Sequence, residues 1–248
     1  MRSSPRRSLL TSRRSLPLLL AGALCAGCGL GVSNPEDLGD TPSGEVEVTE
    51  GALLPWAQGN QWTYRVTESG TVTQKVTGVG ALETVGGSGP YQDTRAHRVT
   101  TSKSTGGTTV SWQALSGTRL VRYREQSFDV GVESAQSEEW WSPAKLHVDM
   151  TAEHLVPGAS WTESYQETKQ KTGQAAESET TRDVWTVVAD GQAVTVPAGT
   201  FSALVLRKSG TSKVKTYWFV RGVGKVKEVG EQTEELVSYQ VAPTSSSN

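Results

Sequence analysis

Few residues in this chain could carry chemistry, and their spacing decides what they could do. There are two cysteines, Cys25 and Cys28, and three histidines, His97, His147 and His154. The cysteines form a C-x-x-C, which at an element end of a folded domain would suit a redox pair or half of a zinc site. Here they lie in an apolar leader with no second pair to complete a metal site, so neither use has its structural context. His97 stands in the alternating run "RAHRVT" and reads as a polar-face strand residue. His147, Asp149, Glu153 and His154 are the one cluster from which a two-histidine, one-carboxylate site could be drawn. Their spacing matches no helix-borne zinc motif, and a solvated connecting segment accounts for them. Glu138 and Glu139 precede Trp140 and Trp141, a combination that would suit acid–base work on a sugar stacked on tryptophan. Glycosidase carboxylates face each other across a cleft of about 5–9.5 Å, which adjacent residues of one segment rarely do. No serine occupies a Gly-x-Ser-x-Gly elbow, and no glycine-rich phosphate loop opens a helix. The expectation is a non-catalytic protein without metal or cofactor. The alternative is a hydrolase of envelope polymers using the His147 region or Glu138–Glu139.

What the cysteines do is better explained by where they stand. Arg2, Arg6, Arg7, Arg13 and Arg14 precede the apolar run "LPLLLAGALCAG". That run falls short of the roughly 20 residues of a spanning helix and reads as the h-region of a signal peptide covering residues 1–27. Ala26-Gly27-Cys28 then fits the end of a bacterial lipobox, in which the cysteine becomes the acylated first residue of the mature chain. Cys25 stands where leucine is usual, a departure from the pattern. Ordinary signal cleavage, leaving two spare thiols, is the alternative. Ser12-Arg13-Arg14-Ser15-Leu16 is compatible with twin-arginine export as well as with the general secretory route. Acylation at Cys28 would anchor the chain to a membrane, each buried methylene contributing about 0.8 kcal/mol. Gly29 after that cysteine, rather than aspartate, points to the outer membrane, facing the periplasm or the outside.

The remainder must supply a scaffold. Residues 28–51 are acidic and rich in glycine, proline and serine, and read as a flexible tether. Residues 242–248, "APTSSSN", form a polar tail. Residues 52–241 lie between and form the β domain. With 24 basic and 26 acidic residues the net charge is −2, and no basic face interleaved with aromatics points to nucleic acid. Period-two alternation recurs in "QWTYRV", "TVSWQAL", "VKTYWFV" and "LVSYQV", separated by turn signals such as Gly86-Gly87-Ser88-Gly89-Pro90. Helical stretches are conceivable at 132–141 and 173–180, although both lack an apolar stripe. The fold expected is mainly β: a curved antiparallel sheet, as a half-barrel or open barrel, with few short helices. A weak repeat relates "GNQWT" at Gly59 to "GASWT" at Gly158, and "SWQALSGTRLVRY" to "YWFVRGVGKVKEV". It suggests two similar halves sharing one sheet.

"LLPWAQGNQWTYRV", "SPAKLHVDMTAEHLVPGASW", "VTVPAGTFSALVLR" and "TYWFVRGVGKVKEV" together resemble the recurring segments of uncharacterised bacterial cell-envelope lipoproteins. The resemblance spans Leu53 to Val241 and rests on structural motifs. It implies a half-barrel similar to those of periplasmic lipoprotein carriers, and it brings no catalytic residues with it. On that basis Trp62, Trp112, Trp161 and Trp218 are candidates to line a site for a lipid or other hydrophobic small molecule, while core filling is the plainer role for them. A protein partner is the other possible use of such a sheet.

Overall fold

The computed structural model describes residues 51–210 and 213–242. The signal segment, the tether up to residue 50, Cys28 and the tail from residue 243 lie outside the described residues. Twelve strands follow one another: β1 (Gln61–Glu68), β2 (Thr71–Thr84), β3 (Arg95–Lys103), β4 (Thr108–Ser116), β5 (Arg119–Phe128) and β6 (Ser137–Asp149) make the first six. After a one-turn 3-10 helix at Ala152–Leu155 come β7 (Ser160–Lys171), β8 (Glu177–Val196), β9 (Gly199–Ser209), β10 (Val214–Val220), β11 (Gly224–Val229) and β12 (Thr233–Gln240). Each strand pairs antiparallel with its neighbours in sequence, and β1 pairs with β12, so the sheet is a closed barrel rather than an open one. Closure removes both sheet edges and satisfies their backbone groups internally. It also explains how so few apolar residues suffice, because a barrel needs only its inward positions filled.

The two stretches considered for helix, 132–141 and 173–180, instead run into β6 and β8. Their polar residues continue the barrel wall as long hairpins, with Glu138↔Gln170 and Glu167↔Glu179 in register. In a strand, polar residues facing water on one side need no apolar stripe.

The internal repeat has a structural counterpart at an offset of six strands. Gly59 and Gly158, at φ +90° and +89°, make equivalent turns into β1 and β7. Gly59 N–H donates to Val79 O and Gly158 N–H to Val187 O, while Val79 and Val187 donate back to Asn60 O and Ala159 O. The second pair of segments is β4–β5 and β10–β11. Trp112 lies opposite Arg124 in one, and Trp218 opposite Lys227 in the other, each with a bulge immediately after the tryptophan. Each half thus contributes six strands to one wall.

The main core fills one end of the lumen. Leu53 and Leu54, upstream of β1, are buried against Trp62, Leu120, Leu146, Val148, Leu206 and Phe219. Trp62 Nε1 donates to Val223 O at 2.6 Å, and its ring stacks on Trp56 with centroids 6.0 Å apart. Gly224 makes this closeness possible. Its φ is +109°, and a Cβ there would stand 2.9 Å from Leu54 Cδ1 and 3.0 Å from Trp62 Nε1. Gly224→Ala is therefore expected to destabilise the barrel by at least the ~1–3 kcal/mol typical of a strained backbone, read as a lowered midpoint in urea. An unchanged midpoint would mean the loop relaxes freely.

A second, smaller core lies on the outer face. The chain between β2 and β3 folds over Val85, Ala96, Val110 and Trp112, with Arg124 bonded to Val85 O and Glu138. A Cβ on Gly87 would meet Arg124 Nε at 2.4 Å, and one on Gly89 would meet the Trp140 ring at 3.0 Å. These contacts are why that loop is rich in glycine.

Candidate functional site

Beyond the apolar end the lumen opens into a cavity of about 820 Å³. Inward positions of nearly every strand contribute, and a barrel of this size is wide enough to hold a small ligand. The walls are charged. Lys75, Arg122, Lys145, Lys208, Lys215 and Lys225 face Glu125, Glu167, Asp183, Glu228 and Glu234, with Lys103, Lys213, Glu179 and Glu231 also lining it. Sequence inspection missed this set because its members are scattered over ten strands and two loops, at most two to a strand. The signal available was lysine and glutamate at positions alternating with outward residues, as in "VKTYWFV" and "KVKEV".

Two ion-pair networks organise the lining. In the first, Glu234 accepts from Lys75 and, at 2.8 Å, from Lys225; Glu228 accepts from Lys225 and, at 2.6 Å, from Lys215. Glu234 and Glu228 have side chains only 3% and 7% exposed. Burial pushes Glu234 up, but Lys225 and Lys75 outweigh it and bring the carboxyl down to about 2. Burial, reinforced by Lys225, lowers Lys75 to about 8 despite its bond to Glu234. The Tyr64 ring lies 5.1 Å from the Lys75 ammonium and 5.2 Å from that of Lys225, a geometry that favours both cations.

In the second network Arg122 pairs with Glu125, Lys145 with Glu167 at 3.3 Å, and Lys208 with Asp183 at 3.1 Å. Tyr165 donates to Asp183 at 3.0 Å and Trp141 Nε1 to Glu167 at 2.8 Å. The Arg122 guanidinium donates from Nη2 to His147 Nε2 at 2.8 Å. Since a guanidinium cannot accept, Nε2 must be unprotonated and the ring proton sits on Nδ1. Burial first, then Arg122, Lys225, Lys208 and Lys145, hold His147 well below its ordinary range, so it is neutral at pH 7. The networks are related by the six-strand repeat: Arg122–Glu125 on β5 corresponds to Lys225–Glu228 on β11.

The four candidate tryptophans occupy different environments. Trp62 lines the apolar floor of the cavity. Trp161 packs against the main core without lining the cavity, its ring stacked 4.0 Å from His154 and 6.2 Å from Trp185; Trp185 then stacks on Tyr217 at 5.7 Å. Trp112 and Trp218 alternate with inward-facing Gln113, Tyr217 and Phe219 and so point outward. Arg124 lies over Trp112 at 4.4 Å and Lys227 over Trp218 at 6.0 Å. The aromatics that do reach the cavity are Trp56, Trp62, Tyr64, Tyr165, Trp185, Tyr217 and Phe219.

The remaining candidates have structural partners. Asp149, 3% exposed, accepts from His154 at 3.0 Å and forms an ion pair with Arg119 at 3.3 Å, a different set from that of His147. No group of three or more metal-capable side chains comes together among the described residues. Glu138 bonds Arg124 on the outer face, whereas Glu139 bonds Lys169. Adjacent strand residues point to opposite faces, so these two carboxylates do not share a cleft.

No protein-family model matches the sequence, and no curated protein does. Among solved structures, an exported protein with a YmcC-like fold from Bacteroides fragilis is similar in shape. The TM-score is 0.47 at 13% identity, over 75% of this chain and 98% of that one.

Proposed function

We propose that this chain is a non-catalytic, lipid-anchored protein of the bacterial cell envelope whose barrel holds a small polar ligand. The observation that carries the reading is the cavity itself: roomy, lined by paired charges and aromatic faces, and set in a rigid wall. Ligand sites of this kind combine apolar surface with a few placed polar groups. The guest that suits this lining bears charge or hydroxyls, in contrast to the apolar molecule that the tryptophans suggested. Anchoring is read from Cys28 in its lipobox, and delivery to the outer membrane from Gly29. The outer wall supports a barrel standing in water: Arg65, Arg98, Ser164, Gln166, Arg182 and Arg207 are exposed outward positions, whereas a membrane barrel carries an apolar band there.

One preparation tests both parts. The protein is purified from the membrane fraction of its native host and weighed under denaturing and non-denaturing conditions. A chain beginning at Cys28 with acyl groups, lost in Cys28→Ala, is expected in the first. A small molecule released on unfolding is expected in the second. An unmodified chain would overturn the anchor, and a barrel that retains nothing from host extract would overturn the container.

A further inference from the structure

We propose that the cavity is an anion seat, in which a carboxylate or phosphate group of the ligand sits beside His147 among Arg122, Lys145, Lys208 and Lys225. This rests on the container reading above and narrows its ligand to an acid. Three observations converge on it. The first is the charge balance of the lining. Lys75, Arg122, Lys145, Lys208, Lys215 and Lys225 oppose five carboxylates, Glu125, Glu167, Asp183, Glu228 and Glu234. The other charged lining residues, Lys103 and Lys213 with Glu179 and Glu231, cancel. Every one of those five carboxylates is already engaged by a cation, and Glu228 and Glu234 by two each. One positive charge is left over in the wall, and a monoanion neutralises it.

The second observation is the inventory of unused hydrogen-bonding groups. Trp185, 2% exposed, lines the cavity with its Nε1–H unpartnered, as do Trp56 through Nε1 and Arg122 through Nε. His147 Nδ1–H is fixed as a donor by the Arg122 bond to Nε2. These are all donors. Gln113 Oε1 is the unpartnered acceptor of the lining, but its amide can rotate and present the NH2 instead while Ser111 Oγ donates to it. Donors in excess suit a carboxylate or phosphate, which offers only acceptors.

The third is the repeat. Arg122 and Lys225 occupy equivalent inward positions of the two halves, each tied to a glutamate three residues on. Both line the cavity with His147, as do Lys145 and Lys208, and Arg122 touches the ring at 2.8 Å. Four cations from four strands therefore share one cavity wall with a neutral ring. A cationic guest would add to the unbalanced charge, and a neutral polyol would leave it uncompensated.

The test uses the purified full chain with ring-15N-labelled histidine, at constant sodium chloride. Sodium phosphate, sodium acetate, glycerol and tetramethylammonium are titrated separately, and the imidazole resonances are followed. A saturable shift confined to His147 is expected with phosphate or acetate, while His97 and His154 stay in place as internal references. Phosphate alone would identify a phosphate ester as the ligand's acidic part, and acetate alone a carboxylic acid. Arg122→Gln is expected to weaken the response about tenfold or more, as removal of a charge-assisted hydrogen bond does. The wild-type titration stands whether or not that variant folds. No saturable shift with either anion overturns the proposal. Should glycerol or tetramethylammonium move His147 while the anions do not, the anion seat falls and the container reading survives; a barrel that retains nothing from host extract removes the container itself.

Discussion

Glu234→Gln is expected to destabilise the barrel by about 3–5 kcal/mol, the range for removing one partner of a buried ion pair. The substitution keeps the shape of the side chain and deletes only its charge. Lys75 and Lys225, with side chains 12% and 17% exposed, would then share a single buried carboxylate, Glu228, with Lys215. Their mutual repulsion, now offset by Glu234, would stand uncompensated. The measurement is urea unfolding at pH 7, with Glu235→Gln as a comparison, since that carboxylate sits in the more exposed pairs with Arg65 and Lys227. Similar losses for both variants would mean the lumen is wetter than its packing implies.

The same residue sets the acid limit of the fold. Its carboxyl titrates at about 2 in the barrel against an ordinary 4.5, and Glu228 is depressed as well. A carboxyl depressed on folding contributes stability that is complete above its unfolded value and is lost as pH falls through the folded one. Unfolding is therefore expected between pH 4.5 and about 2, and Glu234→Gln should flatten that limb. Lys75 works in the other direction. Lowered to about 8, it binds a proton more weakly folded than unfolded, so its unfavourable contribution fades as pH rises above 8.

How much of this was legible in the sequence follows from which forces act locally. Strand positions and the antiparallel class could be read because period-two alternation and glycine-rich turns are local signals, as in Trp62, Tyr64 and Val66 before Glu68-Ser69-Gly70. Closure could not, since Trp62 pairing with Tyr239 depends on twist accumulated over the whole sheet. The polar stretches at 132–141 and 173–180 were ambiguous because a strand with a wet face and a poor helix have the same composition. The direction in which each candidate tryptophan faces was not legible for a related reason. Alternation says that Trp218 and Phe219 face opposite ways, yet not which of them faces in. Lys215 and Tyr217 on Phe219's side of the strand gave an apolar-looking face to the exterior, and only the cation-covered outer surface makes sense of it. The acidic and basic lining was invisible as a motif: Glu234 and Lys75 are 159 residues apart, and only the barrel brings them together. The repeat was the one long-range feature written in the sequence, because duplicated strands keep their turn glycines.

That repeat sets up the second large effect, at Trp62. Trp62→Ala is expected to cost about 3–5 kcal/mol, as for large aromatic residues in packed cores. The ring is 2% exposed; it stacks on Trp56 and holds the chain before β11 through its bond to Val223 O. Removing it would open a void beneath Leu54 and leave that carbonyl unpaired. Trp62→Phe keeps most of the volume and loses the N–H, so about 1–3 kcal/mol is expected from the unsatisfied carbonyl alone. Trp161, its counterpart in the second half, is half-buried, its Nε1 has no partner, and it stacks on His154 and Trp185 without tying down a neighbouring carbonyl. Trp161→Ala should accordingly cost less than Trp62→Ala in the same urea titration. If the two substitutions were equivalent, the halves would still be energetically symmetric. If Trp62→Ala cost under about 1 kcal/mol, the segment around Leu53 and Leu54 would not belong to the cooperative unit. The expected inequality identifies the first half's entry turn, with its buried leucines, as the element that closes one end of the lumen and leaves the charged cavity accessible from the other.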